Sequence, residues 1–387
     1  MTIERNWTAS EGQGRRGWGI QSLQKGLRRG LKTASSILAC ATLFIWLAAL
    51  PPFQVGLWYL TEPVEIALFG TGALAALVLV FHPKVEWAMW HPLVLIPAGL
   101  VILTAATAQF HSFPTRSGFG PPQTGEGGLW FAALAMMVAL FRVADRRAVA
   151  HAACWSGAIL LVARWTGPQV NSFPDYLAFV GLALIVIREP RSLFEDAADW
   201  PLIIGAALIA SSGSKGAFML VPAIMLVALM RAPRALLAAV VPPLTVIAID
   251  LLHTLPSAGS RVMLWRSAIA ALQGEPGLWW HGAGWGGMND LVARHYRAIA
   301  QVEPNWEGLG EAWHSHNEFV EAFISVGIGG AVLMIALFVV AAHASIGRLR
   351  AGAWCALAGL SAIWMPTPVV VPFLAAALAI TSRGSEK

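Results

Sequence analysis

Residues 314–318 read His314-Ser315-His316-Asn317-Glu318 and lead straight into an apolar run with Phe319, Val320, Phe323, Ile324 and Val326. Ionisable groups at the edge of an apolar segment imply a polar contact there. Ser315 and Glu318 have the S-x-x-E spacing of a capping box, which puts His316 in the first turn of the helix that follows. A helix N-terminus disfavours imidazolium, and neutral imidazole is what a general base needs at neutral pH. Glu318 and Glu321 push the other way, so the sequence does not fix the sign of the shift. Two roles stand side by side: a general base, or a histidine that caps or hydrogen-bonds at an interface.

Cations accompany this segment. Arg261 and Arg266 lie in Ser260-Arg261-Val262-Met263-Leu264-Trp265-Arg266, soon after a long apolar run, and Lys215 follows Ser211-Ser212-Gly213-Ser214. Cations at a membrane boundary suit pyrophosphate, and arginine offers it a planar fork of donors. Contact with phospholipid headgroups is the alternative. Asp250 and His253 end an apolar run and are functional candidates on that ground, with a local hydrogen bond as the alternative. Asp290, Arg294, Arg297, Glu303, Glu307 and Glu311 read as a solvated face. His314 and His316 form an H-x-H pair, but residues two apart do not share a helix face. No H-E-x-x-H, cysteine cluster or Asp-rich motif joins them, so no metal site is expected.

The elements that position these residues are helices in a membrane. Of 387 residues, 57% are hydrophobic and 12% charged, with a mean hydropathy of +0.63. A soluble domain carries about 25% charged residues. Apolar runs recur over 34–51, 64–82, 92–110, 129–144, 148–165, 174–188, 199–212, 216–231, 236–255, 319–342, 353–365 and 368–381, each about long enough to span. The expectation is an all-α polytopic membrane protein with about twelve transmembrane helices. The turn at residues 211–216 is the weakest part of that count. The three cysteines, Cys40, Cys154 and Cys355, fall inside these runs and read as small buried hydrophobes.

Residues 1–33 form a basic tail, with Arg5, Arg15, Arg16, Lys25, Arg28, Arg29 and Lys32. By the positive-inside rule the N-terminus is cytoplasmic, and alternation makes the C-terminus cytoplasmic too. That alternation places 19 of the 26 Lys and Arg on the inner side. No cleavable leader is expected. Ile20, Leu23, Leu27 and Leu31 have helical spacing, so the tail is either an interfacial helix or a disordered basic segment. Spans one to nine fill 34–255, a large outward loop covers 256–318, and 319–387 holds spans ten to twelve with the C-terminus. The large loop carries Trp265, Trp279, Trp280, Trp285, Trp306 and Trp313, and Met288, Leu291, Val292, His295, Tyr296 and Ile299 have the spacing of an amphipathic helix. A second outward loop, 111–128, is rich in Gly and Pro.

His316-Asn317, nine residues, then Gly327-Ile328-Gly329-Gly330 resembles the H-N-x9-G-x-x-G signature of the O-antigen ligase and polymerase superfamily. Arg261-Val262-Met263-Leu264-Trp265 resembles that family's R-x-x-x-W element, and Gly282-Ala283-Gly284-Trp285-Gly286 its glycine element. The match runs from about Ser211 to Gly330, with weaker echoes at Pro121 to Gly127 and Asn171 to Ala178. Two positions depart: Lys215 stands where the family usually has Arg in a Ser-Arg-Gly turn, and Asp175 where Asn is common.

The resemblance implies a GT-C-like, metal-independent, inverting glycosyltransferase of the bacterial inner membrane, with its active site facing the periplasm. Its donor would be a glycan on undecaprenyl pyrophosphate. The acceptor would be a hydroxyl on another glycan, on lipid A–core or on protein, with the first two favoured because no extra periplasmic domain is evident. His316 would be the base and Arg261 would bind the pyrophosphate. Lys215, Arg266, His314 and Asn317 complete the expected substrate-binding set. The bilayer is the other partner; no cofactor and no nucleic acid are expected. A transporter or flippase for a lipid-linked or anionic solute is the competing reading, weakened by the scarcity of mid-span charge. An inactive envelope scaffold is a third, which leaves the order of Arg261, the glycine element and His316 unexplained.

Overall fold

The computed structural model describes residues 12–45, 47, 62–111, 117–118, 127–166, 174–188, 199–230, 233–252, 256–291, 314–363 and 370–383. Among them the regular structure is helical throughout: α1 (Gly12–Thr42), α2 (Glu62–Val80), α3 (Val85–Met89), α4 (Pro92–Thr107, extended by a 3-10 turn Ala108–Phe110), α5 (Gly128–Val143), α6 (Arg146–Thr166), α7 (Pro174–Ile187), α8 (Trp200–Ser211), α9 (Lys215–Leu229), α10 (Arg234–Leu251), α11 (Pro256–Gly274), α12 (Leu278–His281), α13 (Glu318–Val326), α14 (Ile328–Ala344), α15 (Arg348–Ser361) and α16 (Val371–Ser382).

The centre is built from helices that are apolar on every side, the pattern expected of a helix with no solvent face. All of α16, and α15 from Arg350 onward, are buried. α5 packs on α2, α4 and α16, while α7 packs on α8, α15 and α16. Close crossings rest on glycine: Gly181 of α7 and Gly205 of α8 face each other so tightly that a Cβ on either would overlap the other's backbone carbonyl. The outer helices expose apolar side chains instead, among them Ile66, Leu77, Phe218, Leu226, Leu244 and Ile247.

Three described helices are long and apolar enough to cross a membrane, by length and composition: Pro92–Phe110, Arg146–Trp165 and Arg234–Leu251. The expectation of about twelve spans is corrected accordingly. The other apolar stretches counted, Ile66–Val80 of α2 among them, have 10–17 residues, and at 1.5 Å per residue these fall short of a hydrocarbon core about 30 Å thick. The tenth expected span, 319–342, breaks at Gly327, whose φ of +76° ends α13 and starts α14. α1 runs without interruption across residue 33, where the sequence puts the boundary between tail and membrane domain. α8 packs on α6 and α7 whereas α9 packs on α15, so the two diverge after the Ser212–Ser214 turn.

Basic residues expected on the inner side tie helix ends together. Arg383 donates to the carbonyls of Phe141, Arg142 and Ala144 (2.9 Å to Phe141), which caps the end of α5. Arg142 stacks on Trp87 with 4.3 Å to the ring centroid, and Arg234 donates to the Ser345 carbonyl at 2.8 Å. The candidate chemistry lies elsewhere, around α11, α13 and the α8–α9 turn.

Candidate functional site

Arg261 and Trp265 are four residues apart on α11 and so share a face. The inner side of α11 packs Val262, Leu264, Trp265 and Leu272 against Met288, Leu291 and Ile324. Trp265 donates its indole N–H to the Ser315 carbonyl at 3.0 Å. Arg261 Nε donates to the carbonyl of Ile363, just past α15, at 3.1 Å. The helix thus carries its cation to one fixed place and docks the histidine segment with its tryptophan. Arg261 lies close enough to His316 for the two to interact electrostatically.

The histidine segment is held at nearly every residue. The Ser315 N–H donates to the Glu321 carboxylate at 2.8 Å, and its hydroxyl donates to the Asn317 carbonyl at 2.8 Å. The His316 N–H donates to His314 Nδ1 at 2.8 Å, so His314 carries its proton on Nε2, which faces Glu318 at 3.3 Å. The N-cap of α13 is Asn317, whose Oδ1 accepts from Phe319 and Val320 at 3.0 and 3.1 Å. This corrects the capping-box reading. Ser315 does not cap, Glu318 turns to His314, and His316 precedes the helix. Asn317 and His314 are buried, with Asn317 Oδ1 taken up by the cap and His314 by the His316 N–H and Glu318, while Asn317 Nδ2 is buried without a hydrogen-bond partner among the described residues.

His316 itself has φ +54°, the one non-glycine residue in the left-handed region among the described residues. Such a backbone costs on the order of 1–3 kcal/mol and persists where its surroundings over-determine it, which is common at active sites. Its Nδ1 is buried without a hydrogen-bond partner among the described residues. Burial drives the imidazole down to about pKa 3, and neighbouring His314 and Arg261 add to the shift. His316 is therefore neutral at pH 7. The sign left open by the sequence is set first by burial, with Arg261 acting in the same direction, not by Glu318 or Glu321.

The glycine element is bound to the other end of α13. Ala283 and Gly284 donate their N–H groups to the carbonyls of Ile324 and Ser325 at 2.7 and 2.9 Å. These are carbonyls that a helix end leaves unsatisfied. Gly282 (φ +68°) and Gly327 (φ +76°) permit the approach, since a Cβ on the first would overlap the Ser325 backbone and on the second the Trp280 carbonyl. Trp285 is buried and donates to Thr104 Oγ1 of α4 at 2.9 Å. His111 donates from Nε2 to the His281 carbonyl at 2.9 Å and so accepts from Ser117 at Nδ1, 2.8 Å away. Residues 292–313 lie outside the described residues, and with them most of the expected amphipathic helix; of its first turn, Met288 and Leu291 are buried.

Lys215 opens α9 and is exposed, behind the N-cap Ser214, whose hydroxyl accepts from the Ala217 N–H at 3.0 Å and donates to Asp175 of α7. Asp175 in turn acts electrostatically on Arg261. Gly216 lies against the Ile363 side chain, and Ile363 is the residue whose carbonyl Arg261 holds. Lys215, Asp175, Arg261 and His316 therefore form a connected neighbourhood. Arg266 does not belong to it. It is exposed and pairs with Asp250 at 3.4 Å on the outer side of α11. His253 lies outside the described residues. Asp175, noted in the sequence only as a departure from the family's usual Asn, is placed in this neighbourhood by its bond to Ser214. Compared with protein-family models and with curated proteins, the chain matches none.

Proposed function

We propose that this chain is an inner-membrane glycosyltransferase of the O-antigen ligase and polymerase type. It moves a glycan from undecaprenyl pyrophosphate to an acceptor hydroxyl. The observation that supports this most is the neutral, left-handed His316 held beside Arg261 by the Trp265–Ser315 hydrogen bond.

The chemistry follows from those groups. The acceptor oxygen attacks the anomeric carbon, its proton passes to the His316 imidazole, and the carbon–oxygen bond to pyrophosphate breaks with its electron pair leaving on phosphate. Arg261 and Lys215 offset the charge that develops there, which replaces the need for a Lewis acid. A single in-line displacement inverts the anomeric centre. The bound anion also raises the His316 pKa from its low value toward one suited to proton transfer. In this reading the long and short apolar helices together make the membrane body of a GT-C-like fold, both termini are cytoplasmic, and the site opens to the periplasm.

The test is complementation of a deletion strain with wild type, His316→Ala or Arg261→Ala at matched membrane levels. Surface polysaccharide is run on a gel and lipid-linked glycan is assayed in membranes. Loss of mature glycan with accumulation of the lipid-linked donor supports transfer. Long unattached chains identify a ligase, single repeat units a polymerase. Wild-type behaviour of both variants removes the proposal and leaves transport or scaffolding.

A further inference from the structure

Arg164 occupies the last turn of α6, far in sequence from the residues above. Its Nε donates to the carbonyl of Ser211, at the end of α8, at 3.2 Å. That contact fixes the guanidinium along the Ser212–Ser214 turn. Gly213 there has φ +71°, and a Cβ on it would come within 3.9 Å of Arg164 Nη2. The same turn carries Lys215 and, with Ile209 and Phe218, lines a pocket of about 290 Å³. Ser214 of the turn bonds Asp175, which acts electrostatically on Arg261, itself bonded to the Ile363 carbonyl.

Three cations thus surround one short turn at the end of apolar helices, set against the carboxylate of Asp175. Lys215 is exposed and solvated, but the half-buried guanidinium groups of Arg164 and Arg261 are less costly with an anion to share their charge. Lys215 contributes a point charge; a guanidinium contributes a planar fork that matches phosphate oxygens. We propose that Arg164 is a third cation for the lipid-borne diphosphate, supplying from α6 the fork that Lys215 lacks. The inference rests on the glycosyltransferase reading for the identity of the anion. It assigns Arg164 to substrate binding and not to proton transfer.

The test uses the purified full chain in phosphatidylglycerol-containing nanodiscs, titrated with undecaprenyl diphosphate and, separately, undecaprenyl monophosphate. Arg164→Gln is expected to weaken diphosphate binding on the order of tenfold to a hundredfold, the worth of charge-assisted hydrogen bonds. The loss for monophosphate is expected to be smaller. Arg164→Lys, which keeps the charge and a donor for Ser211, is expected to recover part of the affinity. It is also the variant to read if Arg164→Gln does not fold. If Arg164→Gln or Arg164→Lys binds diphosphate like wild type while Arg261→Gln does not, Arg164 only caps α8 and the inference is overturned, with the function intact. If wild type shows no preference for diphosphate over phosphatidylglycerol, the function itself falls, and this inference with it.

Discussion

Trp265 and Ser315 meet in a single buried hydrogen bond of 3.0 Å between α11 and the segment that ends in α13. Arg261 stands one turn earlier on the same helix face and His316 one residue later in the chain. The separation between cation and imidazole is therefore set by one indole N–H, across 50 residues of sequence.

Trp265→Phe keeps most of the packing and removes that N–H. The Ser315 carbonyl is left buried without its partner, a loss of about 1–3 kcal/mol. Unfolding midpoints should fall accordingly, and transfer activity should fall more than the lost stability explains, because His316 is no longer registered against Arg261. Wild-type activity in a stably folded Trp265→Phe protein would show that the contact does not position the site.

His316 predicts a pH dependence. Its unfolded pKa is about 6.5, and its folded value is about 3. Between those values the unfolded chain binds a proton that the folded chain excludes, so stability is full above about pH 6.5 and falls as pH drops toward 3. Burial lowers His111 as well, and His91 to about 4, so the total slope has several sources. The difference between wild type and His316→Gln isolates this one. Melting curves from pH 7 to 4 should fall less steeply for His316→Gln, and parallel curves would refute the assignment.

Glycine substitutions separate contact from conformation. Gly282→Ala and Gly327→Ala both put a methyl group into backbone across the α13 junction and should prevent stable folding. Gly347 also has positive φ, +87°, but nothing lies within 4 Å of a Cβ there. Gly347→Ala should cost only the conformational penalty, about 1 kcal/mol. Expression and thermal melting of the three variants test the ranking.

Arg266→Ala should leave transfer within about twofold of wild type, since an exposed ion pair is worth about 0–1 kcal/mol and Arg266 is taken up by Asp250. A large fall in donor affinity would restore Arg266 to the site.

The helical class was legible from the apolar patterning, whereas the proximity of Arg261 and His316 was an expectation carried by the family resemblance, since residue type and spacing alone do not bring together groups 55 positions apart. The cap of α13 was not legible. Ser315-x-x-Glu318 and Asn317 both offer capping side chains, and the choice fell to Asn317 because Glu318 is drawn to His314 and Ser315 to Glu321. Nor was the break at Gly327, since a run of apolar residues reads as continuous whether or not a glycine inside it takes positive φ. Arg164 and Asp175 come from α6 and α7, and only tertiary packing brings them to the α8–α9 turn.

The two hydrogen bonds from Ala283 and Gly284 to the end of α13 have a consequence for the stretch after α12. It has no helix or sheet of its own at those residues, yet both amides are sealed against another chain segment. In deuterium exchange they should behave like amides inside a helix, opening only when α13 detaches. Slow exchange at residues 283 and 284 would report, from a distance, on whether the floor beneath His316 is intact.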